Sequence, residues 1–193
     1  MDFRHYCKNC NRYASCCIFK NKSEFAFVGL NDAKRIKRFI KKDYNYFLDY
    51  STFPKSVVKR LRKGDPSLEG TLRYKQLDKN RLLRLKSKKD KRCVFLDKNN
   101  CCEIYEVRPN ICKIYPFWAM KLINGRIKVV PHGTESKCNT LKVINKDWED
   151  VEKGLSKKEV LDIKNVFNKI VNENKNYVKH IKLFVRQNKI NRL

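Results

Sequence analysis

The chain has 193 residues, 41% of them hydrophobic, with only six glycines and five prolines. That composition supports one modest core and excludes a disordered or collagen-like chain. Lys and Arg number 46 against 20 Asp and Glu, a formal charge of +26 that favours polyanionic partners such as nucleic acid or an acidic protein. No apolar run is long enough to span a membrane. The start, Met1-Asp2-Phe3-Arg4-His5-Tyr6-Cys7, lacks the apolar core of an export signal, which predicts a cytoplasmic protein. Nine cysteines in such a chain read as metal ligands before they read as a disulfide framework.

The first 23 residues carry Cys7-x2-Cys10-x5-Cys16-Cys17. A two-residue gap lets Cys7 and Cys10 turn both sulfurs toward one ion. Neighbouring side chains in an extended segment point to opposite faces, so Cys16 and Cys17 are expected to do different jobs. Glu24–Val28 reads as a short strand. Asn31 predicts an N-cap for a helix over about 32–49, with Ile36, Phe39, Ile40 and Phe47 as its core stripe. Its basic residues form either a solvated face or an anion-binding one.

Residues 51–92 hold fifteen Lys and Arg against four Asp and Glu and no cysteine, which reads as a basic insert. Within it, Ser56–Leu61 predicts a short helix and Arg81–Leu85 a strand. Cys93-Val94-Phe95-Leu96 reads as an apolar strand. Asp97-Lys98-Asn99-Asn100 is a turn by composition, returning the chain at Cys101-Cys102 so that a hairpin brings Cys93 near Cys102.

Pro109 suits a helix start, because its missing N–H has no helical partner to lose there. Cys112 then falls in the first turn, where the helix dipole is expected to favour a thiolate. Ile114-Tyr115-Pro116-Phe117-Trp118 reads as an aromatic cluster over the site. Asn124-Gly125 between apolar runs marks a second hairpin within Leu122–Val130, leading to His132 and Cys138. A lone His132 reads as structural. Ser156-Lys157-Lys158-Glu159 is a capping box opening a helical tail. Apolar residues at threes and fours from Val160 to Phe184 make it one long helix, or two with a break near 172–176.

Cys7, Cys10, Cys16, Cys17, Cys93, Cys102, Cys112 and Cys138 are the candidate ligands. Sulfur donors close soft-metal sites in fours. Eight thiols therefore fit two zinc sites, or one iron–sulfur cluster with four thiols left over. Tyr105, Glu106, Arg108 and Pro109 are supporting candidates. Arg108 is expected to pair with Glu106 or Glu103 to hold the turn, the alternative being to neutralise thiolate charge. The fold class is α+β: a small metal-stapled cysteine-cluster domain over 1–145 with short β-hairpins and the 51–92 insert, and a C-terminal helical extension over 146–193.

The motifs Cys7-x2-Cys10-x5-Cys16-Cys17, Cys93-Val94-Phe95-Leu96, Cys102-x-Ile104-Tyr105-Glu106-x-Arg108-Pro109-x-x-Cys112, Tyr115-Pro116-Phe117 and Cys138 resemble the YkgJ-type cysteine-cluster family, also described as the CxxCxxCC zinc- or iron-chelating domain. The resemblance covers roughly 7–138. A longer gap before Cys16 and the extra Cys101 are departures from the family pattern. The resemblance implies binding of zinc or an iron–sulfur cluster, with a redox or cofactor-linked role within its range. Flagellin lysine methylases look like relatives with a similar cluster, so metal-dependent protein-lysine methylation is one alternative. No Gly-x-Gly-x-x-Gly cradle accompanies it. The other alternative is a zinc-scaffolded nucleic-acid binder gripping phosphate through 51–92.

Overall fold

A computed structural model describes residues 15–19, 26–52, 81–131 and 151–190. Cys7, Cys10, His132, Cys138, the expected helix at 56–61 and most of the basic insert lie outside the described residues. The described part mixes helices with two small antiparallel sheets, an α+β arrangement.

Helix α1 spans Leu30–Ile40 with Gly29 as its N-cap, and it ends where Lys41 takes the left-handed conformation (φ 53°) and returns its N–H to the Lys37 carbonyl. The expected helix over 32–49 is thus shorter and starts earlier. Asn31 does not cap it; its side-chain amide donates to Glu173 Oε1 at 3.3 Å. After one turn of helix, α2 at Tyr44–Phe47, the chain becomes strand β1, Leu48–Thr52. β1 pairs antiparallel with β2, Arg81–Leu85, in the register Leu48↔Leu85 to Thr52↔Arg81. Interstrand hydrogen bonding has overridden the helical spacing that continues by coincidence to Phe47. Phe39, expected in the core, is 52% exposed, whereas Ile36 and Phe47 are fully buried.

Residues 26–28 run along the other side of β2. Phe27 bridges Arg84, Val28 N–H donates to Leu83 O, and Leu85 N–H donates to Ala26 O. The second hairpin pairs β3, Phe117–Lys121, with β4, Ile127–Pro131. Its turn contains Gly125 at φ +80°, a backbone state that side chains rarely adopt. The hairpin expected at 122–130 is present, with its first strand displaced upstream.

The tail is one continuous helix, Lys157–Gln187. Ser156 accepts from Glu159 N–H while the Glu159 carboxylate accepts from Ser156 N–H, which completes the capping box. Numbering the short helix Asn110–Ile114 as α3, this tail is α4. Its first half buries Ile163, Phe167 and Ile170 against Ile114, Phe117, Trp118 and Val129, with the Trp118 and Phe167 rings edge to face at 5.4 Å. Its second half buries Tyr177, Ile181 and Phe184 against Val28, Ile36, Phe47, Leu83 and Phe95. One helix therefore ties two apolar clusters together. No helix among the described residues is long and apolar enough to cross a membrane.

Candidate metal centre

Three chain segments deliver thiols to one side of the first cluster. The 3-10 turn Ser15–Cys17 leads into a strand-like contact in which Ile18 bridges Arg92. There the Cys17 carbonyl accepts from Cys93 N–H at 2.7 Å, and Phe19 N–H donates to the Lys91 carbonyl at 2.8 Å. Cys17 and Cys93 are thus backbone neighbours across a gap of 75 residues in the chain.

Cys93–Leu96 is not the strand expected from its composition. Leu96 N–H folds back to the Cys93 carbonyl at 3.0 Å, a tight turn flanked by single bridges, Ser87↔Cys93 and Leu96↔Cys102. The latter brings the chain segment of Cys102 alongside that of Cys93. Asp97–Asn100 is a turn as expected. The Asp97 Oδ1 accepts from both Asn99 N–H (2.9 Å) and Cys101 N–H (2.7 Å), and Asn100 sits at φ 61°. Arg92 pins it by donating to Asp97 O and Asn100 Oδ1. Cys101 is exposed, while Cys102 is half-buried and packs against the first cluster.

From Cys102 the chain passes through the 3-10 turn Tyr105–Val107 to Arg108-Pro109 and α3, on which Cys112 is the third residue. Pro109 caps this helix, as the sequence predicts to within a residue. What fixes α3 was not visible in the sequence. Asp32 of α1, 2% exposed, accepts from Asn110 N–H at 3.0 Å through Oδ2 and from Arg35 at 2.6 Å through Oδ1. Arg35 in turn donates to the Arg108 carbonyl at 2.9 Å. Both ends of the Arg108–Asn110 segment are therefore held by one helix. The available signal was a lone acid three residues before an Arg in an otherwise basic helix. Glu173 of α4 lies near this group and accepts from the Asn31 side chain. Burial, then the nearby Asp32 charge, raises its carboxyl above the ordinary range.

The thiols act on one another. Burial above all, then Cys93, Cys16 and Cys102, pushes the Cys112 thiol well above its ordinary range, with Arg108 opposing. The helix-dipole expectation for Cys112 is therefore overruled: α3 has only five residues and the site is desolvated. Burial is also the main cause raising Cys93, to about 12, with Cys102 and Cys16 adding to it. Cys16 and Cys17 contact sulfur to sulfur at 3.7 Å. That contact is the largest cause holding Cys16 down and Cys17 up, and Cys93 and Cys112 raise Cys17 further. Several thiolates in one desolvated place repel unless a cation joins them. A soft divalent metal is the cation that sulfur donors select. Among the described residues, no three His, Cys, Asp or Glu side chains form a group that could hold a metal ion. Cys7, Cys10 and Cys138 fall outside those residues.

Arg108 and the aromatic pair Phe117-Trp118 differ from expectation. Arg108 is 7% exposed, and its guanidinium carbon lies 3.9 Å from the centre of the Tyr105 ring. It stacks on that ring instead of forking a carboxylate, and its charge favours ionised Cys16 and Cys112. Phe117 and Trp118 are buried in the second cluster against α4 and not over the thiols. Ile111 touches both clusters, so α3 is the seam between them.

The family model CxxCxxCC, described as "Putative zinc- or iron-chelating domain", matches residues 6–143, more than half of the chain. No solved structure matches.

Proposed function

The chain belongs to the CxxCxxCC family of zinc- or iron-chelating domains, and from that premise we propose that it binds zinc or iron through the thiolates of Cys7, Cys10, Cys16, Cys17, Cys93, Cys102, Cys112 and Cys138. One observation carries the assignment for the described part. Cys17, Cys93, Cys102 and Cys112 come from distant stretches and pack on one apolar cluster. Burial and then neighbouring cysteines push Cys93 and Cys112 above the ordinary thiol range, and the Cys16 contact and then burial do the same for Cys17. Thiols so placed hold protons tightly until a cation replaces them, and metal loading then releases those protons.

The ion's role in this reading is structural. Cys93 is buried, and Cys17, Cys102 and Cys112 pack half-buried on the core, with Cys16 the exposed one of the five, whereas a catalytic metal keeps an open position. In this reading residues 1–145 are the chelating unit and 146–193 a helical extension packed on it, with α4 contributing to both apolar clusters. Anaerobic purification with metal analysis and a visible spectrum tests the proposal. Stoichiometric zinc in a colourless protein, or iron with acid-labile sulfide in a brown one, upholds it and names the metal. Retention of full metal by both Cys93→Ser and Cys112→Ser contradicts the ligand set.

A further inference from the structure

The outward face of α1 carries charge that the metal reading leaves unused. Lys34 and Arg38 are one helical turn apart, Lys41 follows within the next, and Lys42 adjoins it; all four are exposed. The acids nearby are already engaged. Asp32 is buried against Arg35, and Asp43 lies 3.6 Å from Lys37. Lys37 is further held 4.6 Å above the Tyr44 ring. Among the described residues, no carboxylate pairs with Lys34, Arg38, Lys41 or Lys42.

The same corner exposes two aromatic rings. Phe39 is 52% exposed and Tyr46 49%, on either side of the Lys41–Asp43 link. The other exposed large apolar side chains, Ile123, Leu161 and Leu183, are aliphatic and lie elsewhere in the chain. Two exposed rings beside unpaired cations offer flat apolar area that a ligand with both charge and planar faces would cover.

We infer that the α1–α2 corner binds single-stranded nucleic acid, with Lys34, Arg38, Lys41 and Lys42 on phosphates and Phe39 and Tyr46 stacked on bases. Cations alone would serve any polyanion. Exposed rings add a partner with π faces, which a single strand offers and a duplex keeps stacked inside itself. The corner is built on the first cluster through Ile36, Tyr44 and Phe47, and none of its cations or rings is a candidate metal ligand.

The test uses the full, metal-replete chain and fluorescently labelled twelve-nucleotide oligo-U and oligo-dT, read by anisotropy between 50 and 300 mM salt. Four phosphate contacts at about 0.7 each give a log–log salt slope of about −3. Arg38→Glu/Lys42→Glu reduces that slope to about half. Lys157→Glu/Lys158→Glu, which changes net charge equally at the exposed start of α4, leaves it nearly intact. Phe39→Ala weakens binding between about fivefold and a hundredfold with the salt slope unchanged, since stacking releases no counterions. All of these side chains are exposed, so the melting temperature stays within a degree or two and reports folding. The inference is overturned by negligible binding at 50 mM salt, by equal losses from the two charge-reversed pairs, by a duplex binding as tightly as the single strands, or by heparin competing as well as an oligonucleotide while Phe39→Ala has no effect.

Discussion

Replacing Asp32 with Ala removes one of the two α1 side chains, the other being Arg35, that hold the start of α3. The carboxylate is 2% exposed and accepts from Asn110 N–H at 3.0 Å and from Arg35 at 2.6 Å. Without it, the Asn110 N–H is buried with its acceptor gone, a loss of about 1–3 kcal/mol. The Arg35 side chain is 29% exposed and turns to solvent, so the ion pair adds no more than about 1 kcal/mol after screening. The sum is about 1–4 kcal/mol, which for a chain of this length lowers the melting temperature by about 2–16 °C. Asp32→Asn keeps an acceptor for Asn110 and is expected to lose about half as much. Because α3 carries Cys112, Asp32→Ala also speeds metal transfer to a chelator. Urea unfolding of the three proteins, with chelator transfer followed in parallel, checks both parts. An Asp32→Ala protein within about 0.5 kcal/mol of the parent would refute the argument that this carboxylate holds α3 in place.

Further outcomes follow from other contacts. Leu83 N–H donates to the Tyr177 hydroxyl at 2.7 Å in the buried core, so Tyr177→Phe strands a donor and costs about 1–3 kcal/mol by urea unfolding. Burial, opposed by that hydrogen bond, pushes the Tyr177 hydroxyl well above its ordinary value. Its contribution is therefore complete below the unfolded value near pH 10 and falls as pH rises beyond it. The urea midpoint of Tyr177→Phe is expected to decline less than the parent's between pH 9.5 and 11.5. Gly125→Ala forces a Cβ into φ +80° in the β3–β4 turn, where space is open, and costs about 1 kcal/mol through backbone strain alone. Ser156→Ala breaks the capping box and loses about 1 kcal/mol in the same assay. Chelating the metal is expected to lower the melting temperature of the parent, and to do so far less in Cys112→Ser, which has already lost that ligand.

Elements written in local chemistry were legible. The Ser156–Glu159 capping box, the Asn124-Gly125 turn, the Asp97 turn, the Pro109 helix start and the strand at 81–85 each depend on neighbours a few residues apart. Where partners are distant, reading failed in a consistent way. The chain after α2 is claimed by β1 pairing with β2, about thirty residues and more away, and α1 itself stops at the left-handed Lys41, so a helical spacing that reached Phe47 misled. Cys93–Leu96 has strand composition, but its bridges to Ser87 and Cys102 leave only a turn between them. Arg108 had two carboxylates nearby in sequence, yet its guanidinium lies over the Tyr105 ring, a contact no charge pattern announces. Phe117 and Trp118 adjoin the cysteine motif in the chain, yet α4 offers the larger apolar surface and takes them. The meeting of Cys17 with Cys93 depends on a bridge spanning most of the basic insert, for which no short pattern codes.

X-ray absorption at the metal edge of anaerobically purified protein reads the ligand shell without reference to any mutant. Sulfur scatterers at about 2.3 Å around zinc or iron, numbering about four per metal, are the predicted result. A shell of nitrogen and oxygen alone, or a protein that carries no metal at all, would contradict chelation by these cysteines.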